Sequence, residues 1–559
     1  MDVVVWQQRI MLAACLCLFF SCMSRPGPGE QPEQAAPDAM NDAVADYMEL
    51  IAGMDSLRKD SIPLAYLVQS FYQQRDFQPV WTDTGTWRKQ ADSLYLFSSQ
   101  VEDWGLIPAY YPLGRLDSIR RTMLDSVHKR EPIHWAEAEL WWTSQFFLLS
   151  HDLWKGRLAI DSVVLRPDSA GSHHPYHVLL DRIVKGESLS AVWGSIEPTY
   201  ADYWALKNAV PAFVDSMDRS LYTFVSYPYK KGDAADSLLF VKTLMKRLGE
   251  SGCWEKKGMP DTTAMRDALR CYQRQKALKA DGVLSRSLVG LMNTNDQERF
   301  RRVNITLDRY RLLPRKRPDL YIQVNLPAFL LRVIQGDTLV LESRVIIGKP
   351  GTPTPTLQSK ITNMITYPTW TVPTSIISKE YLPKLKNNPG YLSRIGLKLL
   401  DSKGQQVDPR GVNWSKYSKG IPYKVMQGSG DNNALGVLKF NFDNPYAVYL
   451  HDTNQRSLFK NSNRAYSHGC VRVQEWDKLA FFLARNDSLN ASSPDSLRYT
   501  ADSIRNWIAA KQHRRIMVQE PVPLFIEYFS CGVEAGKIRF YEDIYSSDQA
   551  IRAKAGKLY

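Results

Sequence analysis

The chain has 559 residues, with 71 Lys+Arg against 58 Asp+Glu for a formal charge of +13, and is 44% hydrophobic and 23% charged. That balance excludes a disordered or fibrous chain, and at about 100–200 residues per domain it implies about three to four domains rather than one. The positive charge is spread without Lys/Arg blocks, which argues against nucleic acid and fits an ordinary basic surface or work beside an envelope polyanion.

Arg9 precedes the apolar run Ile10 to Phe20, followed by Ser21 and Cys22. The run is too short to span a membrane and has the length of a signal-peptide core, so residues 1–22 are expected to direct export. Leu18-Phe-Phe-Ser-Cys22 resembles a lipoprotein signal, with a small residue just before the cysteine. This resemblance implies lipidation of Cys22 and a membrane anchor in the periplasm, although Phe19 departs from the usual aliphatic residue. A plain cleaved signal and an uncleaved anchor remain the alternatives. Residues 23–40 carry Pro26, Pro28, Pro32 and Pro37 among Gly, Glu and Gln and read as a disordered tether. Past the leader stand Cys253, Cys271, Cys470 and Cys531, too few for a disulfide scaffold. An oxidising envelope permits a Cys253–Cys271 pair.

Residues 41–230 read as a helical scaffold domain, with apolar residues at helical spacing from Ala136 to Leu149. Nine of the fifteen tryptophans fall between Trp81 and Trp204 and read as core. His173, His174 and His177 lack Cys or carboxylate partners at ligand spacing and read as a surface loop.

From 236 to 296, a periodic segment stops at Gly249, and a second helix leads into an Asp281-Gly282 turn and a third helix ending at Met292. The unit resembles the peptidoglycan-binding domain, whose Tyr/Phe-Gln, Leu and Asp-Gly-Val pattern is met by Tyr272, Gln273, Leu278, Asp281, Gly282 and Val283. The resemblance implies a glycan-holding module with Tyr272, Gln273, Asp281 and Gly282 as its site. A helical bundle that binds nothing is the alternative.

Beyond Asn304 the period changes to that of strands, so residues 304–530 are expected to form a mostly-β domain, completed by C-terminal strands within 515–559. Leu331 to Gln335, Gly336-Asp337 and Thr338 to Glu342 read as a hairpin. Residues 379–427, rich in Pro, Lys and Asn, break the strand pattern and read as a lid inserted over a site. The whole is a multi-domain α+β chain.

The chemistry concentrates in Tyr449-Leu-His451-Asp452-Thr453 and Arg464-Ala-Tyr-Ser467-His468-Gly469-Cys470-Val471-Arg472. A thiolate nucleophile needs a neighbouring base and a small neighbour that lets a carbonyl approach backbone donors. His451 with Cys470 supplies the first and Gly469 the second. A buried thiol beside a core histidine is the bland alternative. A zinc site of His451, His468 and Cys470 lacks a fourth ligand, so no metal or cofactor is expected.

The unbroken Ser467-His-Gly-Cys-Val-Arg472 string resembles the signature of the YkuD-type L,D-transpeptidase catalytic domain. The likeness extends to Thr352-Pro-Thr-Pro355, Tyr367 to Ile376 and Asn433 to Phe440. With Phe71 to Trp81 and the helical module, it points to the large, YcbB-like three-domain branch; Asn454 stands where that branch often has Pro. The resemblance implies Cys470 as nucleophile and His451 as base. Asp452 would orient the imidazole through its backbone carbonyl, and Gly469 would lie beside the oxyanion donors. Spacing alone does not decide between His451 and His468. Ser467 and His468 would shape the pocket, Arg464 and Arg472 would pair with stem carboxylates, and Tyr449, Trp370 and Asn433 are the remaining substrate-binding candidates. Core packing for Trp370 and a structural role for Arg472 are the competing readings.

The implied reaction joins a tetrapeptide donor stem of peptidoglycan to an acceptor stem by a 3→3 cross-link, releasing D-Ala, with carbapenem β-lactams as inhibitors. An L,D-carboxypeptidase or amidase acting on stems, and a wall-binding scaffold without catalysis, are the alternatives.

Overall fold

A computed structural model describes residues 37–52, 64–83, 85–125, 127–158, 174–226, 234–255, 258–276, 278–493 and 498–554. The expected leader, Cys22, most of the tether and His173 lie outside the described residues. No described helix is long and apolar enough to cross a membrane. The chain divides into two compact units, one of Met1–Ser99, Tyr111–Ser150 and Pro167–Val192, the other of Gln100–Tyr110, His151–Arg166 and Trp193–Tyr559.

The first unit is helical, built from Pro37–Ala52, Leu64–Gln73, Lys89–Ser99, Leu113–Thr122, most of Pro132–Lys155, and Pro175–Val184. Phe71, Tyr72, Trp81, Trp142, Phe146 and Phe147 fill its core. At its centre the Glu139 carboxylate, fully buried, accepts from the Val80, Trp81 and Thr82 amides at 2.7–2.9 Å and from the Tyr72 and Thr82 hydroxyls at 2.7 and 2.6 Å. Five donors offset the cost of burying one carboxylate. This knot accounts for the Phe71 to Trp81 string. The histidines here do not form a surface loop: His174 caps the Pro175–Val184 helix, and His177 is buried with Nε2 2.9 Å from the Leu67 carbonyl.

The helix Ala201–Asp215, expected in the scaffold, belongs to the second unit. Its apolar stripe, Tyr203, Leu206, Val210 and Val214, is buried with Phe300, Tyr310 and Phe529. The small module forms the expected three helices, Ala234–Glu250, Thr262–Gln275 and Arg286–Met292, and a Cys253–Cys271 disulfide ties the loop before the second helix to that helix. Its presumed binding residues are spent on the fold. Tyr272 is 1% exposed in the core. Gln273 donates to the Asp281 carboxylate and accepts from the Gly282 amide, both at 2.8 Å. Gly282 turns at φ +69°, where a Cβ would meet the Arg266 carbonyl.

The β region contains β1 (Leu320–Asn325), β2 (Leu330–Gln335), β3 (Thr338–Gly348), β4 (Leu357–Thr366), β5 (Trp370–Thr371), β6 (Leu397–Leu400), β7 (Gln406–Val407), β8 (Lys424–Gln427), β9 (Leu438–Phe442), β10 (Leu450–His451), β11 (Ala465–Ser467), β12 (Val471–Val473), β13 (Arg514–Glu527), β14 (Cys531–Glu534) and β15 (Lys537–Phe540). The main sheet runs β11-β3-β12-β10-β9-β4-β13-β1-β2, and β2 also pairs with β3, so the sheet closes on itself. The expected hairpin is β2–β3, with Gly336 at φ +57° in its turn. Of the C-terminal strands, β13 enters the sheet between β4 and β1, whereas β14 and β15 form a separate ladder. The helix Trp476–Asn490 contributes Leu479, Ala480 and Leu483 to the core of this sheet.

The insertion is a folded subdomain. It starts before Lys379, because β5 pairs with β8, and its sheet β5-β8-β6-β7 shares a core with Ile376, Leu382, Leu385, Leu392 and Trp414.

Candidate active site

Alternation along three adjacent strands builds the site. Leu438 and Phe440 of β9, Leu450 of β10, and Val471 and Val473 of β12 point into the core. Their neighbours Lys439, Tyr449, His451, Cys470 and Arg472 therefore share the opposite face. Register aligns them laterally: Lys439 pairs with His451, His451 pairs with Arg472 across the parallel β10–β12 ladder, and the Val471 amide donates to the Tyr449 carbonyl at 3.1 Å. The Tyr449 and His451 rings lie 5.6 Å apart edge to face, and Lys439 Nζ sits 3.9 Å from the Tyr449 ring centroid.

Burial dominates the electrostatics. His451 is 4% exposed, and burial together with the Arg472 and Lys439 charges lowers its pKa to about 3, although the Asp452 and Leu435 backbone favours the charged ring. Burial raises the Cys470 thiol, while the Tyr449 backbone and hydroxyl, Lys439 and Arg472 pull it down. The site thus presents a neutral imidazole and a thiol on one face of the sheet.

The turn that presents Cys470 is clamped from below. Ser467 Oγ donates to the Cys470 carbonyl at 2.5 Å and accepts from the Gly469 amide at 3.1 Å. Gly469 takes φ +121°, a region hostile to side chains. Thr354 Oγ1 donates to the Gly469 carbonyl at 2.8 Å and accepts from the Gly348 amide at 2.9 Å. The Thr352-Pro-Thr-Pro string thus holds the motif, and a Cβ on Gly348 would overlap the Thr352 carbonyl.

The Asp452 backbone acts on the His451 ring, while other groups named from the sequence have different roles. The Asp452 carboxylate accepts from the Val437 amide at 3.1 Å and from Arg456 at 2.8 Å, and Gly436 packs on it too closely for any Cβ. It braces the loop that carries Leu435. Asn433 is 1% exposed and bonds the Pro368 and Gly428 carbonyls and the Leu435 amide, which leaves nothing for a substrate. Arg464 is likewise spent, donating to the Val345, Asn461 and Phe329 carbonyls. A guanidinium with three carbonyl partners is structural glue, not a carboxylate receptor. His468 is exposed and bonds Glu380 of the insertion at 2.6 Å, with Lys349 Nζ at 3.1 Å from the same oxygen. Trp370 is half-buried, packs on the insertion core and acts on the Tyr449 hydroxyl. Arg472 donates to Gln455 at 2.9 Å, and its Nε has no partner among the described residues.

Lys439, Thr354 and Glu380 were not singled out from the sequence. Thr354 and Lys439 lie inside the Thr352 to Pro355 and Asn433 to Phe440 strings, and Lys439 carried a further signal, a charge inside the apolar alternation Leu438 to Phe442.

Residues 319–487 match the family model of the L,D-transpeptidase catalytic domain, YkuD. Over those residues the chain is similar to L,D-transpeptidase catalytic domains. Residues 66–210 match a second family model, described as the scaffold domain. A curated Haemophilus influenzae protein, provisionally named an L,D-transpeptidase, is 36% identical over 236 residues, which is 42% of this chain and 46% of that protein. The chain therefore matches about half the length of that relative. Solved structures with similarity include an Enterococcus faecium L,D-transpeptidase mutant at 13% identity, covering 38% of this chain and 50% of that one, TM-score 0.17. The E. faecium catalytic domain acylated by ertapenem is 14% identical, covering 38% and 99%, TM-score 0.17. A Mycobacterium smegmatis L,D-transpeptidase is 13% identical, covering 37% and 58%, TM-score 0.18. The matched segment includes β1 to β12 with the insertion, and so Cys470, His451, Lys439, Tyr449 and Arg472.

Proposed function

We propose that this protein is a peptidoglycan L,D-transpeptidase acting through a Cys470 thioester. The observation that carries the reading is the β9-β10-β12 register, which brings His451 and Cys470 to one sheet face inside the matched domain. His451 takes the thiol proton as sulfur attacks the carbonyl of the third stem residue. The bond to the terminal D-Ala breaks, its amine leaves with that proton, and the acyl group stays on sulfur. The Gly469 amide is committed to Ser467, so the Cys470 amide is the backbone donor for the oxyanion. An amine of a second stem then displaces sulfur, which regains its proton, and a 3→3 cross-link results.

The insertion beside the motif excludes water, which would otherwise hydrolyse the thioester. Arg472, with an unpartnered Nε, is the better receptor for a stem carboxylate than Arg464. Export, with a lipid anchor on Cys22, would bring the enzyme to its polymer.

Mass spectrometry after exposure to a carbapenem tests the thioester chemistry: one adduct on the wild type and none on Cys470→Ala is expected. Incubation with tetrapeptide muropeptides should then yield 3→3 dimers. Tripeptide monomers alone would reassign the enzyme as a carboxypeptidase, and a folded wild type that takes no adduct would overturn the reading.

A further inference from the structure

We propose that Lys439 is the cation that stabilises the Cys470 thiolate, a positioning residue that acts on the nucleophile through charge without touching substrate. The inference deepens the proposed function, because it concerns the same nucleophile.

Three observations carry it. Lys439 shares the face of Cys470 and lies in register with His451. Its ammonium sits over the ring of Tyr449, whose backbone and hydroxyl act on the same sulfur. Among the described residues no carboxylate pairs with Lys439, although it is half-buried. An ammonium drawn out of water without a counter-ion is costly and is kept where an anion forms. The effect is reciprocal: Lys439 pulls the thiol down, and Cys470 favours the charged lysine against burial.

The groups around the sulfur leave few alternatives. From β10, Tyr449 is neutral and held so by burial, and His451 is kept uncharged by burial. From β12, Arg472 is the other cation. In the motif turn, His468 is engaged by Glu380 of the insertion and by Lys349, and after β10 the Asp452 carboxylate is engaged by Arg456 and the Val437 amide. Before His451 takes a proton its ring is neutral, so in the resting site the positive field at the sulfur comes from fixed cations.

The test is the pH dependence of iodoacetamide alkylation, followed on the Cys470 peptide of the full chain. Alkylation reads the thiolate without requiring a stem substrate. In Lys439→Met the profile should move to higher pH, and the rate at pH 7 should fall on the order of 3–10-fold. Lys439→Arg should stay within about twofold of wild type. Coincident profiles for wild type and a Lys439→Met protein of unchanged melting temperature would overturn the proposal, as would an Arg variant as slow as the Met variant. If Lys439→Met does not fold, Lys439→Gln gives the same reading. A shifted profile in a protein that makes no cross-link would uphold this assignment while the transpeptidase reading fails.

Discussion

In the helical module, both ends of the Gln273 amide are used inside one turn, on Asp281 and on Gly282, while Tyr272 disappears into the core. In the sheet, among the described residues, Lys439 has no carboxylate partner and the Arg472 Nε has none, while the Cys470 sulfur meets the Ala447 carbonyl at 4.0 Å and the Tyr449 backbone and hydroxyl. Both strings stand out in the sequence equally well. What separates them is whether their polar atoms are spent: a satisfied motif specifies a fold, and an unsatisfied one waits for a ligand. The Glu139 knot belongs with the first kind, since its carboxylate serves five donors and no atom of it is exposed.

The comparison breaks most visibly at Glu139. Glu139→Ala strands three buried amides and two hydroxyls and should cost about 3–5 kcal/mol. Tryptophan fluorescence during urea unfolding should show the transition that reports Trp81 and Trp142 moving to lower urea. A midpoint unmoved from wild type would mean that the knot is not what holds this unit. Gln273→Ala comes next, at about 1–3 kcal/mol, because the Gly282 amide and the Asp281 carboxylate each lose a partner. Amide exchange at Gly282 should accelerate accordingly. If Gln273→Ala instead left exchange unchanged and weakened pelleting with purified sacculi, the motif would be a binding site and the contrast with the sheet would collapse.

The Cys470 string was legible because six residues run without a gap, and the sheet because its apolar residues alternate. Asn433 and Arg464 misled for one physical reason: residue type shows what a side chain can bond, not whether neighbours distant in the chain have taken that capacity. The clamp by Thr354 on Gly469 joins residues more than a hundred positions apart and leaves no local trace. The insertion was legible as a break in the strand pattern, but its own folded core was hidden differently. Its core residues Leu382, Leu385, Leu392 and Leu397 follow no single period, and Pro, Lys and Asn dominate its composition.

His451 sharpens the contrast through pH. Its pKa in the fold, about 3, lies below the ordinary value of about 6.5, so between these two values the unfolded chain binds more protons. The buried ring costs nothing above pH 6.5 and destabilises progressively as pH falls toward 3. His451→Gln should therefore lose stability more slowly than wild type on acidification from pH 6.5 to 4, measured as melting temperature against pH. Parallel curves would mean that the ring is charged in the fold, and Cys470 would then face an imidazolium.

The smallest effect is expected where the two kinds of motif meet, at Glu380. This carboxylate bonds His468, one residue from Gly469, and Lys349, and so satisfies part of an otherwise open site from within the insertion. The His468 bond, aided by Lys349, holds the Glu380 carboxylate below its ordinary range. All three groups are about a third or more exposed, so water screens them and the pair contributes on the order of 0.5–1 kcal/mol at most. Glu380→Gln should accordingly speed amide exchange in the Thr374–Asn387 stretch by roughly two- to fivefold. Salt should mimic the substitution in wild type and do little in the variant, since both weaken the same charges. An exchange rate indifferent to both would leave the apolar core around Leu382, Leu385 and Trp414 as the anchor of the insertion, and His468 free to meet substrate.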